Sequence, residues 1–144
     1  MNKLKFRAWD KEDNKMIYWK DLSFVKSKIN EDLRVLDLTY FPPRIKNAEI
    51  MQSTCLKDIL GNDIYEGDIV KVLVKDVGPK IIEDKIYTGI ITHEQGVFDV
   101  KTFNDTRLGI IPQMYMSDVD CVFRVLGNIY DNKELLERDN NEEV

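Results

Sequence analysis

The chain has 144 residues, 43% of them hydrophobic, 33% charged and 10% aromatic, which is enough apolar material to fold alone as one domain or two small ones. That excludes a disordered, collagenous or low-complexity chain. With 26 acidic and 21 basic residues the net charge is −5, which argues against a uniformly basic nucleic-acid binder. No apolar run reaches the roughly 20 residues that span a bilayer, and residues 1–9 lack the apolar centre of a secretory signal. The expected setting is the cytoplasm, without a membrane partner, where Cys55 and Cys121 stay as buried, inert thiols.

From the N-terminus, Lys3 to Trp9 alternates polar with apolar residues, placing Leu4, Phe6 and Ala8 on one face of a strand and Lys3, Lys5, Arg7 and Trp9 on the other. Met16 to Trp19 is a second β-prone run, so the two read as a hairpin across the polar stretch 10–15. Residues 20–33 are undecided: Asp21 suits the cap of a short helix, but Ser23, Val25, Ser27 and Ile29 are indifferent helix formers. Arg34 to Phe41 reads as a strand ended by Pro42-Pro43, which cannot donate ladder bonds.

A second block begins near residue 51. Gly61-Asn62 and Glu66-Gly67-Asp68 are turn chemistry bracketing Ile64 and Tyr65. Strands are expected over Ile69–Val74, Lys85–Thr92, Val97–Phe103 and Cys121–Asn128, with a Gly78-Pro79 loop and a short loop at His93 to Gly96. So many short strands with little room for crossover helices favour a small barrel. At the end, Asp131 stands three residues before Glu134, the spacing of a capping box, and a short helix should follow.

Parts for catalysis are few. His93, the only histidine, falls in the expected hairpin turn, where a solvated imidazole is the ordinary outcome; nothing around Cys121 points to an activated thiol paired with it. One His and two isolated Cys cannot supply the paired ligands of structural zinc. Asp63, Glu66 and Asp68 lie in turn sequence without the spacing of a calcium loop, and Asp118 and Asp120 read as solvent-facing. The glycines are scattered, so no phosphate-cradling loop is encoded. Neither catalytic residues, a metal nor a cofactor is expected, and the chain is not read as an enzyme.

Binding is the better reading. Residues 1–50 hold 11 basic against 8 acidic side chains, a balance of +3, while residues 51–130 and 131–144 each carry −4. Lys3, Lys5 and Arg7, with Trp9 in phase and Trp19 nearby, are the candidate contacts for a nucleic acid or a protein partner. Trp9, Trp19, Tyr40 and Phe41 equally suit a core or a subunit contact.

Four motifs occur in order: Lys5-Phe6-Arg7-Ala8-Trp9-Asp10 followed by Lys15-Met16-Ile17; Met51-Gln52-Ser53-Thr54-Cys55-Leu56-Lys57-Asp58; Ile64-Tyr65-Glu66-Gly67-Asp68-Ile69-Val70; and Val125-Leu126-Gly127-Asn128-Ile129-Tyr130-Asp131-Asn132. Together they resemble the YopX family of bacteriophage and prophage proteins over nearly the whole chain. Where members often have Thr-Gly-Leu-Lys-Asp, this sequence has Cys55 in place of the glycine. The resemblance implies a mainly β protein: an N-terminal β-containing region (1–50), an SH3-like β-barrel (51–130) and a short acidic terminal helix and tail (131–144). It implies no activity. The leading expectation is therefore a non-enzymatic phage accessory protein that self-associates; the alternative is nucleic-acid binding through residues 1–50.

Overall fold

The alternating N-terminal segment does form a strand. The computed structural model describes residues 4–76, 85–115 and 119–136; in it, β1 (Phe6–Asp10) lies between β2 (Lys15–Ile17) and β6 (Ala48–Lys57), antiparallel to both. Asp10 makes the first turn, its Oδ1 accepting the N–H groups of Glu12 at 2.9 Å and Asp13 at 3.2 Å. The chain divides into two compact units, Met1–Cys55 and Leu56–Val144, and β6 carries it across the division.

Trp19 is not in the second strand, as expected from its neighbours, because β2 ends at Ile17 and Trp19–Asp21 forms a turn of 3-10 helix. The undecided stretch then enters a three-stranded antiparallel sheet of β3 (Leu22–Lys26), β4 (Leu33–Asp37) and β5 (Arg44–Lys46). β4 stops at Asp37 rather than reaching Phe41. The Asp37 Oδ1 accepts the backbone N–H of Thr39 at 2.9 Å and its hydroxyl at 2.6 Å, and this local bond turns the chain before the prolines. Ala8, Ile17, Leu22 and Val35 form the core of this unit.

The second unit matches its expected strands closely. β7 (Asp63–Tyr65) follows the Gly61 turn, and β8 (Asp68–Asp76), β9 (Lys85–Glu94), β10 (Val97–Thr102) and β11 (Val119–Asn128) form one antiparallel sheet in the order β10-β9-β8-β11. It curls as a half-barrel around Ile64, Val70, Val72, Ile91, Val100 and Phe123. The protein is mainly β, as its sequence indicates. Gly89 is needed where β9 crosses β10, since a Cβ there would stand 2.6 Å from the Lys101 carbonyl oxygen.

Three details differ from the sequence reading. A helix, α1 (Ile110–Tyr115), buries Ile110 and Ile111 against the core; Pro112 falls in its first turn, where no intrahelical N–H is lost. His93 is not in the hairpin turn but inside β9, opposite Phe98 and stacked on it with ring centroids 4.0 Å apart. At the C-terminus, residues 133–136 are helical and Asn132 precedes them, its Oδ1 accepting the Asn128 N–H; the expected cap, Asp131, instead accepts from Asn128 Nδ2 at 3.1 Å. The Gly78-Pro79 loop, Asp118 and the tail beyond residue 136 lie outside the described residues.

Candidate functional site

The acidic residues that could serve chemistry are already engaged. In the first unit, Lys46 Nζ sits 2.8 Å from Asp13 Oδ2 and 3.4 Å from Asp10 Oδ2, while Lys15 Nζ is 3.2 Å from Asp37 Oδ2. The Tyr40 ring lies under Lys15, Arg44 and Lys46 at 4.2 to 5.2 Å, and its hydroxyl donates to Asp13. The hydrogen bond and charge of Lys46 hold the Asp13 carboxyl below its ordinary value, and the bond to Asp13 holds Lys46 above its own against the pull of burial. Burial pushes Asp37 up, but bonds from Thr39 and then Lys15 outweigh it and hold this carboxyl low.

In the second unit the partners are backbone groups. Asp58 is buried and accepts the N–H groups of Leu60 at 3.0 Å, Asn62 at 2.8 Å and Val125 at 3.1 Å. Burial raises its pKa, and these bonds together lower it below the ordinary carboxylate value. Asp68 accepts from Tyr65 N–H, and Asp99 accepts from Val100 and Gly109 N–H, all at 2.8 Å. Turn formation thus explains Asp68, and Asp63 pairs with Lys57.

Among the described residues no group of three or more His, Cys, Asp or Glu is placed to hold a metal ion. Cys121 pairs through Val74 with Lys85 at the opposite end of β9 from His93, so sheet register separates thiol and imidazole. Both cysteines are half-buried rather than buried. Burial, with the neighbouring Asp120 charge, pushes the Cys121 thiol up to about 11, away from nucleophile chemistry.

The sequence-derived contact set does not form one exposed face. Arg7 is 5% and Trp9 9% exposed, because β1 is a middle strand with Arg7 to Asp10 all buried, and alternation marks a wet face only where one side of a sheet meets water. Lys5 is half-buried, Lys3 lies outside the described residues, and among the described members of the set only Trp19 is exposed, tilted against Phe6.

A different surface stands out in the second unit. β8, β9 and β11 pair so that Ile86, Leu73 and Val122 form one row across the sheet, and Thr88, Lys71 and Arg124 form the next. The apolar row and the adjoining Ile59 and Leu60 border a groove of about 420 Å³. Ile59 and Leu60 are 67% and 73% exposed, yet held: Ile59 N–H bonds the Phe123 carbonyl at 2.8 Å and Leu60 N–H bonds Asp58. A larger hollow in the first unit, about 590 Å³, is polar, and two of its charged residues are committed, Lys46 to Asp10 and Asp13 and Glu12 to the Asn47 N–H. The groove escaped the sequence reading because its rows come from strands distant in the chain; the Ile59-Leu60 pair ahead of a glycine turn was the available signal.

Residues 5–137 match the sequence profile of the family described as YopX protein. No curated protein matches the chain. Among solved structures, the chain is similar to protein EF1440 from Enterococcus faecalis, with 26% identity over 94% of this chain and 99% of that one and a TM-score of 0.54.

Proposed function

The chain belongs to the YopX family, and from that premise we propose that it is a non-enzymatic interaction module of a phage or prophage, acting inside the bacterial cell and associating with its own copies. The observation that carries this is the outer face of the three-stranded sheet. A solvated sheet face is ordinarily polar. Here Leu36 stands between Ser23 and Ile45 in register, Ile45 is 61% exposed, Val25 is 46% exposed two residues along the same face opposite Arg34, and Phe41 in the β4–β5 connection is fully exposed. The same face on a second copy offers an apolar surface of equal size, which a two-fold axis can bring together.

Light scattering across a concentration series tests it: mass should rise with concentration, and Ile45→Glu should hold the protein monomeric. A wild-type monomer throughout would remove self-association. The competing reading is nucleic-acid binding through residues 1–50; with Arg7 and Trp9 buried, Lys5 and Trp19 are the described contacts left to it, and a gel-shift titration with single- and double-stranded DNA at low and moderate salt tests it.

A further inference from the structure

The groove of the second unit joins two features that seldom coincide on a merely solvated strand face. Its floor is aliphatic, and beside the floor two cations face each other. Lys71 and Arg124 are directly opposite across β8 and β11, an arrangement in which like charges destabilise the pair. Both are exposed, and among the described residues neither forms an ion pair. Along each strand the apolar and cationic rows are two residues apart, Leu73 from Lys71 and Val122 from Arg124, or roughly 7 Å at strand rise. The lip is fixed in advance, because Asp58 and the Phe123 carbonyl hold the Ile59-Leu60 turn in place.

We propose that this groove binds an extended segment of a partner protein in which an apolar side chain is followed, two positions on, by a carboxylate. An extended chain running along β8 repeats its side chains at the same roughly 7 Å spacing, so the apolar residue fills the space between Leu60, Leu73 and Ile86 while the carboxylate lies over Lys71 and Arg124. The carboxylate removes the repulsion between the two cations, and the apolar contact excludes water around the pair. A single-stranded nucleic acid would also supply negative charge, but binding it calls for aromatic faces on which bases stack. The aromatic residue that lines the groove, Phe123, is 2% exposed. This inference rests on the interaction-module reading, but it concerns a different surface from the one assigned to self-association.

Fluorescence anisotropy with a fluorescein-labelled peptide of repeating Leu-Ser-Glu-Ser units tests it on the full chain. Saturable binding is expected, with a loss of roughly tenfold or more in the Lys71→Glu/Arg124→Glu double variant and a comparable loss in Leu60→Ser; circular dichroism checks that these surface variants stay folded. A peptide of Leu-Ser-Lys-Ser units should bind the wild type at least roughly tenfold more weakly, and the double variant should reverse that preference. Equal binding of the two peptides, or binding indifferent to the double variant, overturns the proposal. So does preferential binding of labelled oligo-dT through Lys71 and Arg124. Light scattering on the same samples separates the two ideas: a protein that self-associates but does not bind the peptide refutes the groove alone, whereas a monomer that binds it refutes self-association alone. A mass that rises with concentration and falls in the double variant would assign the groove to a second copy and overturn the separate partner.

Discussion

The two units bury carboxylates by different means. In the first, the buried Asp10 and Asp37 and the exposed Asp13 are gathered with Lys15 and Lys46 around Tyr40, so side-chain charge answers side-chain charge. In the second, Asp58 and Asp99 are held by backbone N–H groups that converge on them from turns and from neighbouring strands. A carboxylate taken from water needs compensation in either case. Both solutions depend on backbone geometry, since turn N–H groups also bond Asp10 and Asp37, and the first depends in addition on keeping cations in place. Both tryptophans, Trp9 and Trp19, belong to the first unit, so tryptophan fluorescence follows that unit while far-UV circular dichroism follows both.

The sharpest break in this contrast is Lys46→Met. It leaves the buried Asp10 and its neighbour Asp13 without their shared cation, and removing one partner of a buried ion pair is strongly destabilising. The tryptophan-detected urea midpoint should fall well below the wild-type value, with Lys46→Arg retaining most of it. An unchanged midpoint would mean that the lysine does not compensate these carboxylates. Asp58→Ala is the matching test in the second unit. It strips an acceptor from the N–H groups of Leu60, Asn62 and Val125, at a cost of about 3 kcal/mol. The loss should appear in circular dichroism, and Asp58→Asn should recover part of it, since an amide oxygen still accepts.

The pH dependence should separate the units more gently. Asp13, Asp37 and Asp58 all have depressed folded values, so their stabilisation is present above the unfolded carboxylate value of about 4 and is lost as pH falls through the folded values below it. Both units therefore weaken in acid. On the alkaline side they part. Lys15 and Lys46 have raised values, so the first unit keeps their stabilisation up to the ordinary lysine value near 10.5 and loses it above. Cys121 is raised from 9.0 to about 11, so the second unit begins to lose stability near pH 9. Circular dichroism should report that earlier loss, fluorescence should not, and Cys121→Ser should abolish it. Coincident alkaline transitions in the two signals would contradict the assignment.

Much of the second unit was legible because glycine and Asn or Asp mark its turns, and turns fix strand register. Ile69–Val74 and Lys85–Thr92 fall inside β8 and β9 for that reason. α1 was hidden by its composition: adjacent β-branched Ile110 and Ile111 with Pro112 look unhelical, and burial against the core overrides that preference. Arg7 and Trp9 were misplaced because alternation gives two faces but not which of them is covered. Beyond the Ile59-Leu60 pair the groove had no local signature, since only pairing brings Lys71 to Arg124 and Ile86 to Leu73.

One sequence departure was legible in advance and has a structural cost. Cys55 occupies the position at which the Thr-Gly-Leu-Lys-Asp pattern has glycine, and it is held at φ +66°, in the left-handed region. An L-residue there brings its Cβ against the following carbonyl, a cost of about 1–2 kcal/mol that glycine avoids. Glycine in turn has more unfolded freedom to lose, about 0.5–1 kcal/mol. The difference predicts that Cys55→Gly stabilises the protein by only about 0.5 kcal/mol, a smaller change than the loss at Asp58. The bond from Cys55 N–H to Ser53 Oγ at 3.0 Å is a backbone donation and survives the change. Cys55→Ala keeps the Cβ and so keeps the strain, which makes it the control: it should not stabilise. If alanine stabilised as much as glycine, the gain would come from removing the thiol, and the left-handed backbone at the end of the first unit would not be the cause.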